Sequence, residues 1–133
     1  MEKHSILIVD DNANLRQELR SLLSCRNEFE IGGEAQDGLE AIDSVDKLRP
    51  DLVLMDLSMP RMDGITATRE IKKKWPETKI LVFTIHKSPE YLTAVFKAGA
   101  DGYIQKDSSQ GELIQSMNDI LYGRQCLSPN TAG

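Results

Sequence analysis

The feature that most constrains the fold is an alternation. Five short apolar runs of strand length are each followed by a segment whose apolar residues recur at helical spacing. Ile6-Leu7-Ile8-Val9 is rich in β-branched residues and reads as a strand. Leu15, Leu19, Leu22 and Leu23 then make one helical face. "FEIGGEA", Phe29 to Ala35, is a second strand. Asp37 with Glu40 has the pattern of a capping box, and Leu39, Ile42, Val45 and Leu48 follow as a second helix ending before Pro50. Leu52 to Asp56 is the third strand, and Asp63-Gly64 opens a helix carrying Ile65, Ala67 and Ile71 up to Trp75-Pro76. "KILVFT", Lys79 to Thr84, is the fourth strand. Ser88-Pro89 is an N-cap with proline at the first helical position, and Tyr91, Leu92, Val95 and Phe96 form the face of the fourth helix, closed by Gly99. "GYIQK" is a short fifth strand. Ser109 to Glu112 is a second capping box, and Leu113, Met117, Ile120 and Leu121 carry the last helix to Gly123. Continuous apolar strands alternating with amphipathic helices predict an α/β fold: a mostly parallel sheet, covered on both faces, with right-handed crossovers.

A chain of 133 residues with 40% apolar content is long enough to bury the core of one domain. The formal net charge of −5 argues against a nucleic-acid surface, which Lys and Arg would lead. It fits a protein partner, a metal cation or a plain soluble surface. Cys25 and Cys126 lack metal-ligand spacing and are expected as free thiols. The apolar stretch in "MEKHSILIVDD" is too short for a signal peptide, and no segment reaches bilayer length. A cytoplasmic protein is expected, with no membrane partner. The polar tail "RQCLSPNTAG" reads as the start of a linker.

In open α/β sheets ligands sit outside the carboxyl ends of the strands. Strand one ends in Asp10-Asp11, strand three in Asp56, strand four in Thr84 and strand five in Lys106. Taken singly, Asp10-Asp11 reads as a helix cap, Asp56 as cap or turn, Thr84 as a strand residue and Lys106 as a solvated one. The set reads differently. Three carboxylates brought together repel and call for a cation, and hard oxygens suit Mg²⁺ with its waters and phosphate oxygens. Lys106 offsets part of the charge and can meet an anion. A carboxylate can also attack phosphorus to give an aspartyl phosphate, with catalysis supplied by positioning and electrostatics.

The residues "ILIVDD", "LVLMDLSMPRMDG", "ILVFT" and "GYIQKD" resemble the receiver domain of two-component response regulators, across Ile6 to about Tyr122. The resemblance implies a flavodoxin-like doubly wound (βα)5 fold with strand order 2-1-3-4-5. It implies that Asp56 is the phosphoacceptor, supplied by a sensor histidine kinase. Asp11, Asp56 and the Ser58 backbone carbonyl would ligate Mg²⁺ (or Mn²⁺) directly, and Asp10 through a water. Lys106 would pair with Asp56 and then with the phosphoryl group, and Thr84 would hydrogen-bond a phosphoryl oxygen. Tyr103 occupies the switch-aromatic position, with plain packing on a strand as its rival reading. Phosphorylation would shift the population toward a conformer in which Thr84 and Tyr103 have moved, changing a surface read by a partner or a second copy. Such a domain is not a turnover enzyme: it promotes its own phosphoryl transfer and slow dephosphorylation.

The stretch from "FTIHKSPEYL" to "GRQCLSP" resembles the NarL/FixJ (LuxR-like) class, in which a linker and a helix-turn-helix follow. Residues 4–122 are therefore expected as the receiver domain. Residues 123–133 are expected as the start of a linker toward an absent DNA-binding effector, with a homodimer formed on activation. Asp107 stands where many receivers have proline; a cis peptide is costly without proline, which leaves the family's cis turn an open question here. Ile85 replaces a small residue and is expected to narrow access to the phosphoryl group. Ser58 and His86, each two positions past a site residue, are expected to tune the phosphate lifetime. Two rival readings share parts of the pattern: a Mg²⁺-dependent phosphohydrolase with an aspartate nucleophile, and an interaction module that works without phosphate.

Overall fold

The computed structural model describes residues 3–123. It contains β1 (His4–Val9), α1 (Ala13–Ser24), β2 (Phe29–Ala35), α2 (Gly38–Leu48), β3 (Leu52–Met55), α3 (Gly64–Lys74), β4 (Lys79–Thr84), α4 (Pro89–Lys97), β5 (Gly102–Gln105) and α5 (Gln110–Leu121). The strands form one five-stranded sheet in the order β2-β1-β3-β4-β5. Every neighbouring pair is parallel. This is the doubly wound flavodoxin-like topology that the family resemblance implied. The linker expected over 123–133, and Cys126 with it, lies outside the described residues apart from Gly123.

The continuous apolar strands are explained by two cores, one on each face of the sheet. Side chains alternate across a strand. Leu7, Val9, Val53, Met55, Ile80 and Val82 point to one face, where Ala41, Val45, Ala67, Ile71 and Val95 of the helices meet them. Ile6, Ile8, Leu52, Leu54, Leu81, Phe83 and Ile104 point to the other and pack with Leu19, Leu23, Leu113, Ile114, Met117 and Ile120. Neither face of the central strands can therefore carry a polar residue until the strand ends.

Two helical faces differ from expectation. On α2 the buried residues are Gly38, Ala41 and Val45, while Leu39 and Leu48 are exposed. Small residues let α2 approach the sheet closely, which turns the larger ones outward. On α4 only Val95 is buried, and Tyr91, Leu92 and Phe96 are exposed. The caps also differ in detail. Ser109 and Glu112 make the full capping box of α5. At α2 Asp37 caps Glu40 N–H, but Glu40 Oε1 accepts the N–H of Gln36 at 3.2 Å rather than that of Asp37. Ser88 flanks α4 without a side-chain cap bond.

Candidate functional site

The sheet ladder itself brings the acids together. Asp10 N–H bonds Ala35 O at 3.0 Å, and Asp56 N–H bonds Val9 O at 3.0 Å, so both residues extend their strands by one step at the carboxyl edge. The helix-cap reading of Asp10-Asp11 is excluded: the α1 cap is Asn12, whose side chain accepts Leu15 N–H at 3.1 Å. Asn12 N–H in turn donates to Asp10 Oδ1 at 2.9 Å. Asp56 is no cap either, since Asp63 caps α3 through Thr66 N–H at 2.8 Å. None of the three carboxylates is spent on a helix cap. Asp10, Asp11 and Asp56 offer oxygens that all lie within 4.8 Å of one another, with Asp10 and Asp56 buried and Asp11 exposed.

Lys106, arriving from the end of β5, is the cation facing this group. Its Nζ lies 2.7 Å from Asp10 Oδ2 and 3.5 Å from Asp56 Oδ1. Lys106 N–H bonds Thr84 O at 2.8 Å, which ties the base of the lysine to β4. Three carboxylates against one ammonium leave an excess of two negative charges. Asp56 is only 5% exposed. Burial pushes its carboxyl above the ordinary aspartate range, and the Asp10 charge pushes the same way, against Lys106 and the Leu57 N–H. Crowded hard oxygens with unbalanced charge, open to solvent on the Asp11 side, fit a divalent cation such as Mg²⁺. The chain offers three carboxylates there, and an ion of that kind commonly keeps several waters beside one or two carboxylates.

Gly64 matters to this site although the sequence marked it only as a helix start. A Cβ there would stand 1.9 Å from Asp56 O, and Gly64 N–H bonds Leu57 O at 2.9 Å. Only a residue without a side chain lets α3 begin against the backbone of the candidate acceptor.

Thr84 is fully buried at the end of β4. Its hydroxyl accepts His86 N–H at 3.2 Å, so the hydroxyl is engaged by the loop that follows it. Tyr103 is buried on the α2/α3/α4 face of the sheet, and its hydroxyl donates to the His86 carbonyl. The packing reading and the switch reading of Tyr103 thus describe the same placement: an inward ring tied to the loop after Thr84. His86 joins more of the site than its spacing suggested. Its Nε2 lies 2.5 Å from Ser58 Oγ, and its ring stacks on Tyr91 at 4.3 Å between centroids. Ser58 and His86 are therefore bonded to each other. Tyr91 was expected in the core and instead backs this histidine. Ile85 is exposed. All described peptide bonds are trans, including Lys106–Asp107, so the cis turn is absent here.

Two buried acids, the exposed Asp11 and a part-buried lysine at the carboxyl edge of a 2-1-3-4-5 sheet define a class, and comparison with known proteins agrees. The profile of the response regulator receiver domain matches residues 6–118, and the chain belongs to that family. Its relatives are LuxR-type transcriptional regulators of two-component systems. It is 35% identical over 127 residues to the transcriptional regulatory protein DegU of Brevibacillus brevis, covering 96% of this chain and 54% of that protein. A two-component response regulator of the LuxR family from Aurantimonas sp. SI85-9A1 superposes with a TM-score of 0.92 at 37% identity, covering 98% of this chain and 94% of that one. The isolated receiver domain of RcsB from Salmonella enterica serovar Typhimurium, solved with phosphomimetic BeF3-, gives a TM-score of 0.85 at 27% identity, covering 93% and 92% of the two chains. The chain spans about half the length of the curated relatives it matches. Receiver domains are as a class not turnover enzymes. Among the described residues no helix is long and apolar enough to cross a membrane.

Proposed function

We propose that this chain is the phosphorylation-activated receiver of a two-component transcription regulator, with Asp56 accepting the phosphoryl group of a sensor histidine kinase. The carrying observation is the placement of Asp56: buried, beside Asp10 and Asp11, with Lys106 Nζ bridging Asp10 and Asp56. In the transfer an Asp56 carboxylate oxygen attacks phosphorus. The P–N bond to the kinase histidine breaks, and its electron pair stays on the imidazole nitrogen, which takes up a proton. Asp11, Asp56 and the Ser58 carbonyl would hold Mg²⁺ or Mn²⁺, with Asp10 assisting through a water, and the ion would supply neutralisation of charge on the phosphoryl oxygens. Lys106 turns from Asp56 to the phosphoryl group. Thr84 exchanges the His86 N–H for a phosphoryl oxygen, and Tyr103 follows through its bond to the His86 carbonyl. Ser58 and His86, bonded to each other beside the acceptor, control access of the hydrolytic water and so the lifetime of the phosphate.

Residues 4–122 form the receiver, and the segment from 123 leads to a helix-turn-helix. DNA is bound through that domain, in the cytoplasm, by a homodimer that phosphorylation favours. The half-length match to transcriptional regulators supports this reading. The test is incubation with Mg²⁺ and labelled acetyl phosphate, wild type beside Asp56→Asn. One label per wild-type chain and none on the variant is the expected result. A label on the variant would move the acceptor elsewhere, and continuous release of phosphate from added esters would favour the phosphohydrolase.

A further inference from the structure

The β3–α3 loop, residues 56–63, carries the acceptor and the Ser58 carbonyl, and its far half is held in an unusual way. Arg61 has φ +64°, and Met62 N–H bonds Pro60 O at 2.7 Å across it. A bond from residue i+2 to residue i around a positive φ is a γ-turn of the rare, strained hand, and a non-glycine residue at its centre needs a reason. The reason lies on α2. Arg61 Nε donates to Asp37 Oδ2 at 2.8 Å, and Nη2 of the same guanidinium stands 2.7 Å from that oxygen. The Asp37 side chain is 3% exposed. Its other oxygen is committed to capping α2. Glu40 Oε2 stands 3.7 Å from the same guanidinium. Next to it, Gly38 N–H bonds Met62 O at 3.0 Å. Segment 58–61 is thus bracketed between two backbone bonds, Gly64 to Leu57 O and Gly38 to Met62 O, and the turn at Arg61 sets the path between them.

We infer that Arg61 is a positioning residue for the divalent-cation site: its ion pair with Asp37 holds the strained turn and so presents the Ser58 carbonyl beside Asp11 and Asp56. This rests on the cation-binding reading above. Arg61 itself donates to α2, not to the acid cluster, so it acts through the loop. Without the guanidinium the turn has no compensation and relaxes, and the carbonyl leaves the place where it completes the ligand set.

The experiment measures Mn²⁺ affinity by electron paramagnetic resonance of the free ion, well below the melting temperature, together with the melting temperature itself. The proteins are wild type, Arg61→Ala, Asp37→Ser, the double variant and Asp11→Asn. Alanine removes the guanidinium and leaves the strain of the positive φ, serine still caps a helix, and the melting temperature shows that each single variant is folded at the temperature of the measurement. Wild type is expected to bind and Asp11→Asn to lose binding. Each clamp variant is expected to bind about fivefold more weakly, and the double variant no more weakly than the worse single. Affinity that stays at the wild-type value while the melting temperature falls would make the pair merely structural and overturn the inference, leaving the site reading intact. Losses that multiply in the double variant would also overturn it, since the two residues would then act separately. Failure of wild type to bind Mn²⁺, or undiminished binding by Asp11→Asn, would bring down the site reading and the clamp together.

Discussion

Asp56 is placed at the expense of stability. Ionised, it sits buried beside another carboxylate, and its raised pKa means that the folded state favours its proton more than the unfolded state does. Asp56→Asn removes the charge and keeps the shape. We expect it to raise the melting temperature by at least about 2 °C at pH 7 with chelator present, measured by calorimetry, while abolishing phosphorylation. Gly64→Ala goes the other way. Its Cβ would overlap the backbone oxygen of Asp56, and unfolding in urea should show a loss of about 3 kcal/mol or more. The four charged residues of the site were legible in the sequence because each follows directly from a strand, and strand ends map to one rim of the sheet. Arg61, Tyr91 and the Ser58–His86 bond were not. They depend on how two loops are folded, and loop backbone is set by local turns and partners that no periodicity records.

Among the elements, α4 and α5 make the instructive pair. Both show apolar residues at helical spacing, yet α5 buries Leu113, Ile114, Met117 and Ile120 while α4 buries Val95 alone. The spacing gives the direction of a stripe but not the depth to which it is buried. That depth depends on what lies beneath: α5 packs on both β4 and β5, whereas among the strands α4 packs chiefly on β5, a four-residue edge strand. Met117→Ala should therefore cost about 2–5 kcal/mol, and Phe96→Ala should stay within about 0.5 kcal/mol, both read from urea midpoints. Equal losses would show α4 to be more deeply packed than described. The helix starts were better marked, because capping is local chemistry: Asp37, Asp63 and Ser109 all cap where the sequence placed them.

For the whole molecule, a parallel sheet covered on both faces was legible in the apolar runs, and the strand order came from the family resemblance; the two cores show that each strand feeds both faces. Its response to acid follows from opposed groups. Burial alone would raise Glu34 and Asp37, but the bonds from Arg20 and Arg16 to Glu34, and from Glu40 N–H and Arg61 to Asp37, bring both below the ordinary carboxylate range. Their stabilisation is complete above the unfolded-state value and is lost as pH falls through the depressed folded values. Asp56 has the opposite sign: stability rises as it protonates on the way down from neutral pH. Urea titrations across the acid range, with chelator, should show stability first rising and then falling, with Glu34→Gln flattening the fall and Asp56→Asn removing the rise. The close fit of Gly64 against Asp56 O has a mechanical corollary. On the α3 side the acceptor strand abuts an unyielding wall, while toward β4 it faces a loop held by a handful of hydrogen bonds. Any displacement born at the acceptor has one compliant direction, and it leads to the uncovered aromatic and aliphatic side chains of α4.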